Sequence, residues 1–488
     1  MGERVWPPVL SREPVRSSEN ETGHDRGRPA GPAGRPTAVT TALLNLLFAG
    51  DPPSSIRVRL WDGSFWHAGR TSARTTIVLK HPGALRAMLA AGTELALAEA
   101  YLRDDFDVEG DIWALFECAG AFEKVVAGWS TKLRVANLLM QLPRPAPSPR
   151  PASPSPSAQD RPAGRGPAAL QGRRHSVARD KQAISYHYDV SNDFYALWLD
   201  ERMQYSCAYF RSPDDPLDRA QAAKLDHICR KLRLRPGQRL LDVGCGWGGL
   251  VRHAAREYGV DATGITLSRP QAELANEWIA QAGLSDHASV FVRDYREVAG
   301  PESFDALVSV GMFEHVGGAL LPKYFGQAYS LLKPGGVFLN HGISSGVRKI
   351  TRRGPSFSEK YVFPDGELVP IAETLRAAGE AGFEVRDLES LREHYALTLK
   401  HWVRRLEQNH EEALRHVEEP TYRVWRTFMS GGAYGFETGL LNVYQALLVK
   451  PDARGASRQP LTRGDWYAGA TEQGCKRARV QGCKGERR

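Results

Sequence analysis

The sequence predicts an α/β protein, a doubly wound sheet forming a large C-terminal domain, with a smaller α+β domain before it. Three observations carry this reading. Short apolar runs alternate with stretches of helical periodicity over residues 238–450, a glycine-rich loop follows the first run, and a Pro/Ser-rich stretch separates this region from the N-terminal one. Alternating strand and helix units imply parallel strands covered on both faces. Ligands of such sheets bind beyond the carboxyl ends of the strands.

Taken in order, residues 1–36 are rich in Pro, Gly, Arg and Ser and are expected to be disordered. "TAVTTALLNLLFAG" suggests a short helix, and "IRVRLWDGSFWHAG" reads as two strands turning at Asp62-Gly63. "TTIVLKHPGALRAMLAAG" follows as strand and helix, and "ELALAEAYLRDDFDVEGDIWALFECAGAFEKVV" as a further helix, completing a small domain over 37–142. The Pro/Ser content of "PRPAPSPRPASPSPSAQDRPAGRGPAAL" makes 143–177 an extended linker. The second domain, 178–450, takes "QRLLDVG", "DATGITL", "ASVFVRD", "FDALVSVGM", "GGVFLNHGI", "FEVRDLE" and "VYQALLVK" as strands. "GLVRHAAREYG" and "SRPQAELANEWIAQAG" are among the helices between them. Residues 451–488 lack periodicity and end basic, so they are expected to form a disordered tail.

Composition bounds the function. A chain of 488 residues has room for two or more cores, and 42% hydrophobic with 25% charged residues is ordinary for a globular protein. No stretch approaches the roughly 20 apolar residues of a spanning helix, and the N-terminus has no apolar secretory core, so a cytoplasmic location is expected. Six scattered cysteines, with no CxxC pair or matching histidine spacing, argue against a disulfide framework and against a metal site. The net charge of +8 favours a polyanionic partner, nucleic acid or anionic phospholipid, or else reflects only a basic tail.

"LLDVGCGWGG" sets glycines between a buried strand and a helix, where missing Cβ atoms allow a sharp turn and a close ligand. It is not the GxGxxG dinucleotide fingerprint. The pattern D-x-G-x-G-x-G resembles the nucleotide loop of class I S-adenosylmethionine-dependent methyltransferases. There, the acid matching Asp242 orders the loop that cradles the methionine part of the cofactor. The next strand, which in that class usually ends in a ribose-binding acid, here ends "GITLS".

That departure is the expected form in one subfamily. "HYDVSNDFYALWLD", "MQYSCAYF", "AQAAKLDHICRKL", "LDVGCGWGGL", "GITLSRPQ", "DYREV", "SVGMFEHVG", "YVFPDGEL" and "HYALTLKHW" together resemble the blocks of the cyclopropane-fatty-acyl-phospholipid synthases and their mycolic acid relatives. The segment through "LALAEAYLRDDFDVEGD" resembles the small domain of the phospholipid-acting members, a lipid-binding or dimerisation-like unit.

The resemblance implies S-adenosylmethionine contacts from Tyr205, Ser206, Leu240, Leu241, Asp242, Val243, Gly244, Cys245, Gly246, Trp247 and Gly248. It adds Thr266, Leu267, Ser268 and Gln271, and Tyr295 and Arg296 beside the adenine. Alone, "YSCAYF" leaves Cys207 open as nucleophile, metal ligand, buried small residue or part of an assembled site. The resemblance implies the last: the Cys207 and Ile343 backbones, with Glu314, His341 and Tyr395, form a pocket for a bicarbonate ion that acts as base.

Two departures stand against it. Gly432 occupies a position where some members carry a cysteine, and Asn340 one where an apolar residue is usual. The implied reaction converts the cis double bond of a phospholipid acyl chain to a cyclopropane ring, the methylene coming from the methyl group of S-adenosylmethionine. A methyl-branched product and a lipid-binding pseudoenzyme are the alternatives, and a homodimer is possible. The implied partners are the phospholipid and an anionic membrane surface docked peripherally, with Arg348, Lys349, Arg352 and Arg353 of "GVRKITRRG" as the docking cations. A nucleic-acid methyltransferase shares fold and charge, but no N-P-P-Y motif or RNA module is present, so no nucleic-acid partner is expected.

Overall fold

The computed structural model describes residues 34–48, 56–67, 73–117, 129–144, 166–188, 190–346 and 356–467. In the N-terminal part, helix α1 (Gly34–Leu47) buries Val39, Leu43, Leu44 and Leu47, a spacing of three and four that puts them on one face. The adjoining sheet runs β2-β1-β3-β4, with β1 (Ile56–Arg59) and β2 (Phe65–His67) antiparallel across the Asp62-Gly63 turn. Gly63 takes φ +85° there, as a tight hairpin requires. β3 (Thr75–Leu79) leads to α2 (Ala84–Leu89) and to α3 (Glu94–Leu102), which Thr93 caps by accepting from Ala96 N–H.

The long helix expected from Glu94 onward is instead broken. Phe106–Gly110 forms strand β4 against β3, because Phe106 and Val108 alternate inward while Glu109 faces out. α4 (Trp113–Glu117) and α5 (Trp129–Gln141) follow.

The second domain opens with α6 (Val177–Tyr188), α7 (Asn192–Ala196) and α8 (Leu217–Lys231). Its seven-stranded sheet has the order β10-β11-β9-β8-β5-β6-β7. β5 (Arg239–Val243), β6 (Asp261–Thr266), β7 (Ala288–Val292), β8 (Phe304–Val310) and β9 (Leu332–Ser345) are parallel. α9 (Gly249–Tyr258) and α10 (Arg269–Gln281) connect β5 to β6 and β6 to β7, and α11 (Leu321–Leu331) connects β8 to β9. The sheet is not wholly parallel. β11 (Leu441–Val449) inserts antiparallel between β9 and β10 (Glu384–Ser390). A long excursion precedes it, through α12 (Phe357–Tyr361), α13 (Ile371–Glu380), β10, α14 (Arg392–Gln408), α15 (His410–His416) and α16 (Glu419–Glu437). The chain therefore re-enters the sheet from the far end.

One apolar cluster lies on each face of this sheet, around Leu225, Ile228 and Leu339 on one and Phe325, Phe338 and Phe383 on the other. A third runs without a break from α1 and β1–β4 into Trp198, Trp402 and Trp425.

Three boundaries differ from expectation. Gly34–Pro36 already belong to α1, and residues 166–176 of the expected linker are packed. Ala168 N–H bonds to Lys360 O at 2.9 Å, and Arg179 ties Leu170 O (3.1 Å) and Gly172 O (3.0 Å) to Asp365. Residues 451–467 also pack. Trp466 is buried in α17 (Gly464–Tyr467), with the Arg233 guanidinium 4.9 Å from its ring. Pro, Gly and Arg content hid these segments, because a few side-chain anchors rather than periodicity hold them. The remainder of the expected tails and linker, and the "GVRKITRRG" cations, lie outside the described residues.

Candidate active site

A cavity enclosing about 1110 Å³, part of it open to solvent, lies at the carboxyl ends of β5, β6 and β8. It gathers separate segments of the chain. The glycine loop gives Asp242, Val243, Gly244, Cys245, Gly246 and Trp247. Beyond β6 come Thr266, Leu267 and Gln271, and beyond β7 come Tyr295 and Arg296. Tyr205 and Ser206 reach it from the segment before α8. These are the expected cofactor residues, with four exceptions. Leu240 and Leu241 are core residues of β5, on opposite faces of the sheet. Gly248 starts α9 at φ +69°, and an added Cβ would lie 3.0 Å from Ala275 Cβ. Ser268 caps α10, accepting from Gln271 N–H. Those four support the wall rather than face the cavity.

Gly246 shows how the loop fits a ligand. It takes φ +55°, and a Cβ built there meets nothing within 4 Å. Two of the loop's amides are held by β6, since Gly244 N–H and Cys245 N–H both donate to Ile265 O, at 2.9 and 3.0 Å. Asp242 is the partner of neither of these two amides. Its carboxyl is buried against the cavity, and burial pushes its pKa up to about 7, with Lys224 pulling the other way. In place of a ribose acid after β6, Thr266 Oγ1 donates to Gln271 Oε1 at 2.7 Å.

Arg296 is less free than expected. Its guanidinium holds Asp294 (2.6 Å) and Asp180 (2.8 Å), and those bonds keep it firmly protonated. Asp294, which accepts from Arg296 N–H at 2.9 Å, pins the turn that presents Tyr295. The buried Tyr295 hydroxyl has no partner among the described residues.

Sequence reasoning missed Lys224. It sits 1% exposed on α8 and lines the cavity, donating to Gln204 Oε1 (2.7 Å) and Ser206 Oγ (2.9 Å). Burial lowers its pKa to about 8, with Asp200 opposing. The available signal was a lysine between Ala220 and Ile228 on the apolar face of an amphipathic helix.

Glu314, His341, Ile343, Cys207 and Tyr395 lie outside the cavity's lining; the charges of Cys207 and Glu314 reach Tyr395. Glu314 lies in the 3-10 turn Phe313–His315 that follows β8. Its Oε1 accepts from Ile343 N–H at 2.6 Å, while Oε2 is buried without a partner. Burial raises its pKa to about 7, and the Ile343 bond opposes this. His341 shares a face of β9 with Ile343, its Nδ1 facing Gln445 Nε2 at 3.2 Å and its Nε2 unpartnered. Burial first, then Lys224 and Lys231, depress its pKa to about 3, so it is neutral. Tyr395 and Tyr188 feel the Glu314 charge, and burial holds both phenols above their ordinary range.

Cys207 is fully buried, and its thiol donates to Leu391 O (3.7 Å) and Ala208 O (3.3 Å). Burial pushes its pKa up, which rules out a resting thiolate nucleophile. Asn340 points to the other face of the sheet, where Tyr324 OH donates to its Oδ1 at 2.8 Å. Gly432 lies on α16, where a Cβ would come 3.2 Å from Leu399 Cδ1.

Residues 175–446 match the family model for mycolic acid cyclopropane synthetase, and 43–126 match a domain of unknown function, DUF7884. A probable fatty acid methyltransferase of Pseudomonas putida is 41% identical over 84% of this chain and 96% of its own. The cyclopropane-fatty-acyl-phospholipid synthase of Escherichia coli K12 is 37% identical over 54% of this chain and 66% of its own. Among solved structures, mycolic acid cyclopropane synthase CmaA1 complexed with SAH and CTAB is 35% identical. It covers 55% of this chain and 97% of its own, with a TM-score of 0.52. The chain belongs to the mycolic acid cyclopropane synthetase family, class I S-adenosylmethionine-dependent methyltransferases.

Proposed function

We propose that the protein converts the cis double bond of an unsaturated acyl chain in a phospholipid to a cyclopropane ring. The observation that carries this is a buried carboxylate and a buried neutral imidazole, each with an unpartnered atom, close to a glycine-loop cavity. When bound, S-adenosylmethionine supplies an electrophilic methyl group. The cavity residues fit it: Gly246 leaves open space at the loop, and Lys224 and Asp242 offer opposite charges for its amino-acid end. Thr266, Gln271 and Tyr295 offer polar atoms for the nucleoside.

The chain must also keep water from the cation that develops on the acyl chain, and remove one proton to close the ring. Rings of Tyr205, Trp402 and Trp425, with centroids 5.2 to 5.9 Å apart, make a dry aromatic surround that favours positive charge at their faces. The proton leaves to a base held by Glu314. The free Glu314 Oε2 and His341 Nε2 suit a small anion that also carries a hydroxyl, which is the chemistry of bicarbonate. With its pKa raised to about 7, Glu314 accepts such a hydroxyl only when ionised, so turnover should fall as pH drops below about 7.

Glu314→Gln keeps the shape of the pocket and removes the charge. Turnover should drop about a hundredfold or more with little change in SAH affinity. Wild-type activity should fall in carbonate-depleted buffer and return with bicarbonate, while the variant recovers little. A wild type indifferent to bicarbonate would leave a side chain as the base.

A methyl-branched product is the second reading, favoured by relatives that match along most of the chain and are named probable fatty acid methyltransferases. Mass spectrometry of lipids from expressing cells separates the two products. In this reading the protein meets its phospholipid by docking on the cytoplasmic face of an anionic bilayer; no described helix is long and apolar enough to cross a membrane.

A further inference from the structure

Helix α5 (Trp129–Gln141) carries an unusual surface. Its inner side packs Leu139 into the N-terminal core beside α1 and α2, and Arg86 ties its end by donating to Leu142 O at 2.8 Å. Outward, Trp129 is 75%, Leu133 57% and Met140 68% exposed. With exposed Ala136 these residues stand four, three and four positions apart, a continuous apolar stripe along one helical face. Exposed Lys132 and Arg134 flank the stripe, and the helix contains no acidic residue. An exposed apolar stripe of this length marks an interaction surface rather than incidental exposure.

We propose that α5 lies flat on an anionic phospholipid bilayer, with Trp129, Leu133 and Met140 inserted at the boundary of headgroups and acyl chains. Lys132 and Arg134 then face the lipid phosphates. The charges choose the occupant. Two copies meeting through this stripe in antiparallel or parallel fashion would bring cations against cations, with no acid on either helix to answer them. A surface of phosphates answers every cation at once, and a tryptophan with basic neighbours is the composition that settles at a lipid interface. The inference rests on the proposed lipid substrate and gives a role to the unit that presents it: the N-terminal domain holds the enzyme on the surface from which the acyl chain is drawn.

The test uses the full chain and vesicles of pure phosphatidylglycerol or pure phosphatidylcholine. Wild type should cosediment with phosphatidylglycerol vesicles and only weakly with phosphatidylcholine. The combined variant Trp129→Ser, Leu133→Ser, Met140→Gln should lose at least tenfold in affinity for phosphatidylglycerol vesicles, with SAH affinity and sedimentation mass unchanged. Lys132→Gln with Arg134→Gln should lose less and flatten the salt dependence.

Unchanged vesicle binding by the triple variant overturns the proposal. So does a halved mass, which would make the stripe a contact between copies, or a lowered melting temperature with binding retained, which would make it an internal surface. Methyl transfer to detergent-dispersed unsaturated phospholipid keeps the two readings apart. If the triple variant retains it and fails only on vesicles, docking is what was lost; if wild type itself transfers no methyl to dispersed lipid, the functional reading fails independently.

Discussion

A buried ammonium hydrogen-bonded only to neutral acceptors is expensive even with the Asp200 and Asp242 charges in reach, and Lys224 is such a group, bonded to Gln204 Oε1 and Ser206 Oγ at the cavity wall. Its retention makes sense if the proposed cofactor brings a carboxylate to meet it. Lys224→Met should therefore weaken SAH binding by about ten- to a hundredfold, a charge-assisted bond being worth roughly 1.5–3 kcal/mol. Binding of 5′-methylthioadenosine, which lacks the amino-acid end, should stay as in wild type. Equal loss for both ligands in calorimetry would reduce Lys224 to a support of the wall. At this scale the sequence was legible where a motif named a position on the cavity wall, as with Asp242 and Gly246. It was silent on Lys224 because the helical pattern marks a face, and only the packed sheet shows that this face ends at the cavity.

The glycine loop between β5 and α9 separates two uses of glycine. At Gly246 the space beyond Cα is open, whereas a Cβ on Gly264 of β6 would lie 2.7 Å from Cys245 Sγ and 2.9 Å from Val251 Cγ2. The first position is kept clear for a ligand and the second for packing of loop on strand. Gly246→Val should abolish SAH binding while lowering stability by only about 1–2 kcal/mol, the strain of a side chain at positive φ. Gly264→Ala should mainly lower the melting temperature. Calorimetric binding by Gly246→Val equal to wild type would remove the loop from the cofactor site. Elements with strong periodicity, such as α9 and α10, were readable from spacing alone. β4 was not, because five residues of "FDVEG" sit between helical runs and their alternation is meaningful only beside β3. The antiparallel entry of β11 was equally hidden, since strand direction depends on where the preceding helices leave the chain.

At the scale of the molecule, two arginines on α16 join the N-terminal unit to the catalytic domain. Arg423 donates to Tyr101 O at 2.7 Å and pairs with Asp104 at 2.8 Å. Arg426, 7% exposed, donates to Tyr101 OH (2.8 Å) and Val108 O (3.1 Å) and pairs with Glu407 at 2.7 Å. Both guanidiniums stay charged because these acceptors offset their burial. The linker composition suggested two independent units, yet the apolar core crosses between them without a gap. Nothing in the sequence paired Tyr101 with residues more than three hundred positions away, which is why the seam was invisible there. Arg426→Met keeps the length of the side chain but leaves Tyr101 OH, Val108 O and the Glu407 carboxylate without their donor. Breaking such a buried arrangement from one side costs about 3 kcal/mol. The variant should melt at lower temperature, and limited proteolysis should release the N-terminal unit by cleavage within residues 145–165 sooner than in wild type. SAH affinity should hold, because α16 contributes no residue to the cavity lining. Proteolysis unchanged from wild type would mean that the shared apolar core alone fixes the two units, with the arginines adding only to α16.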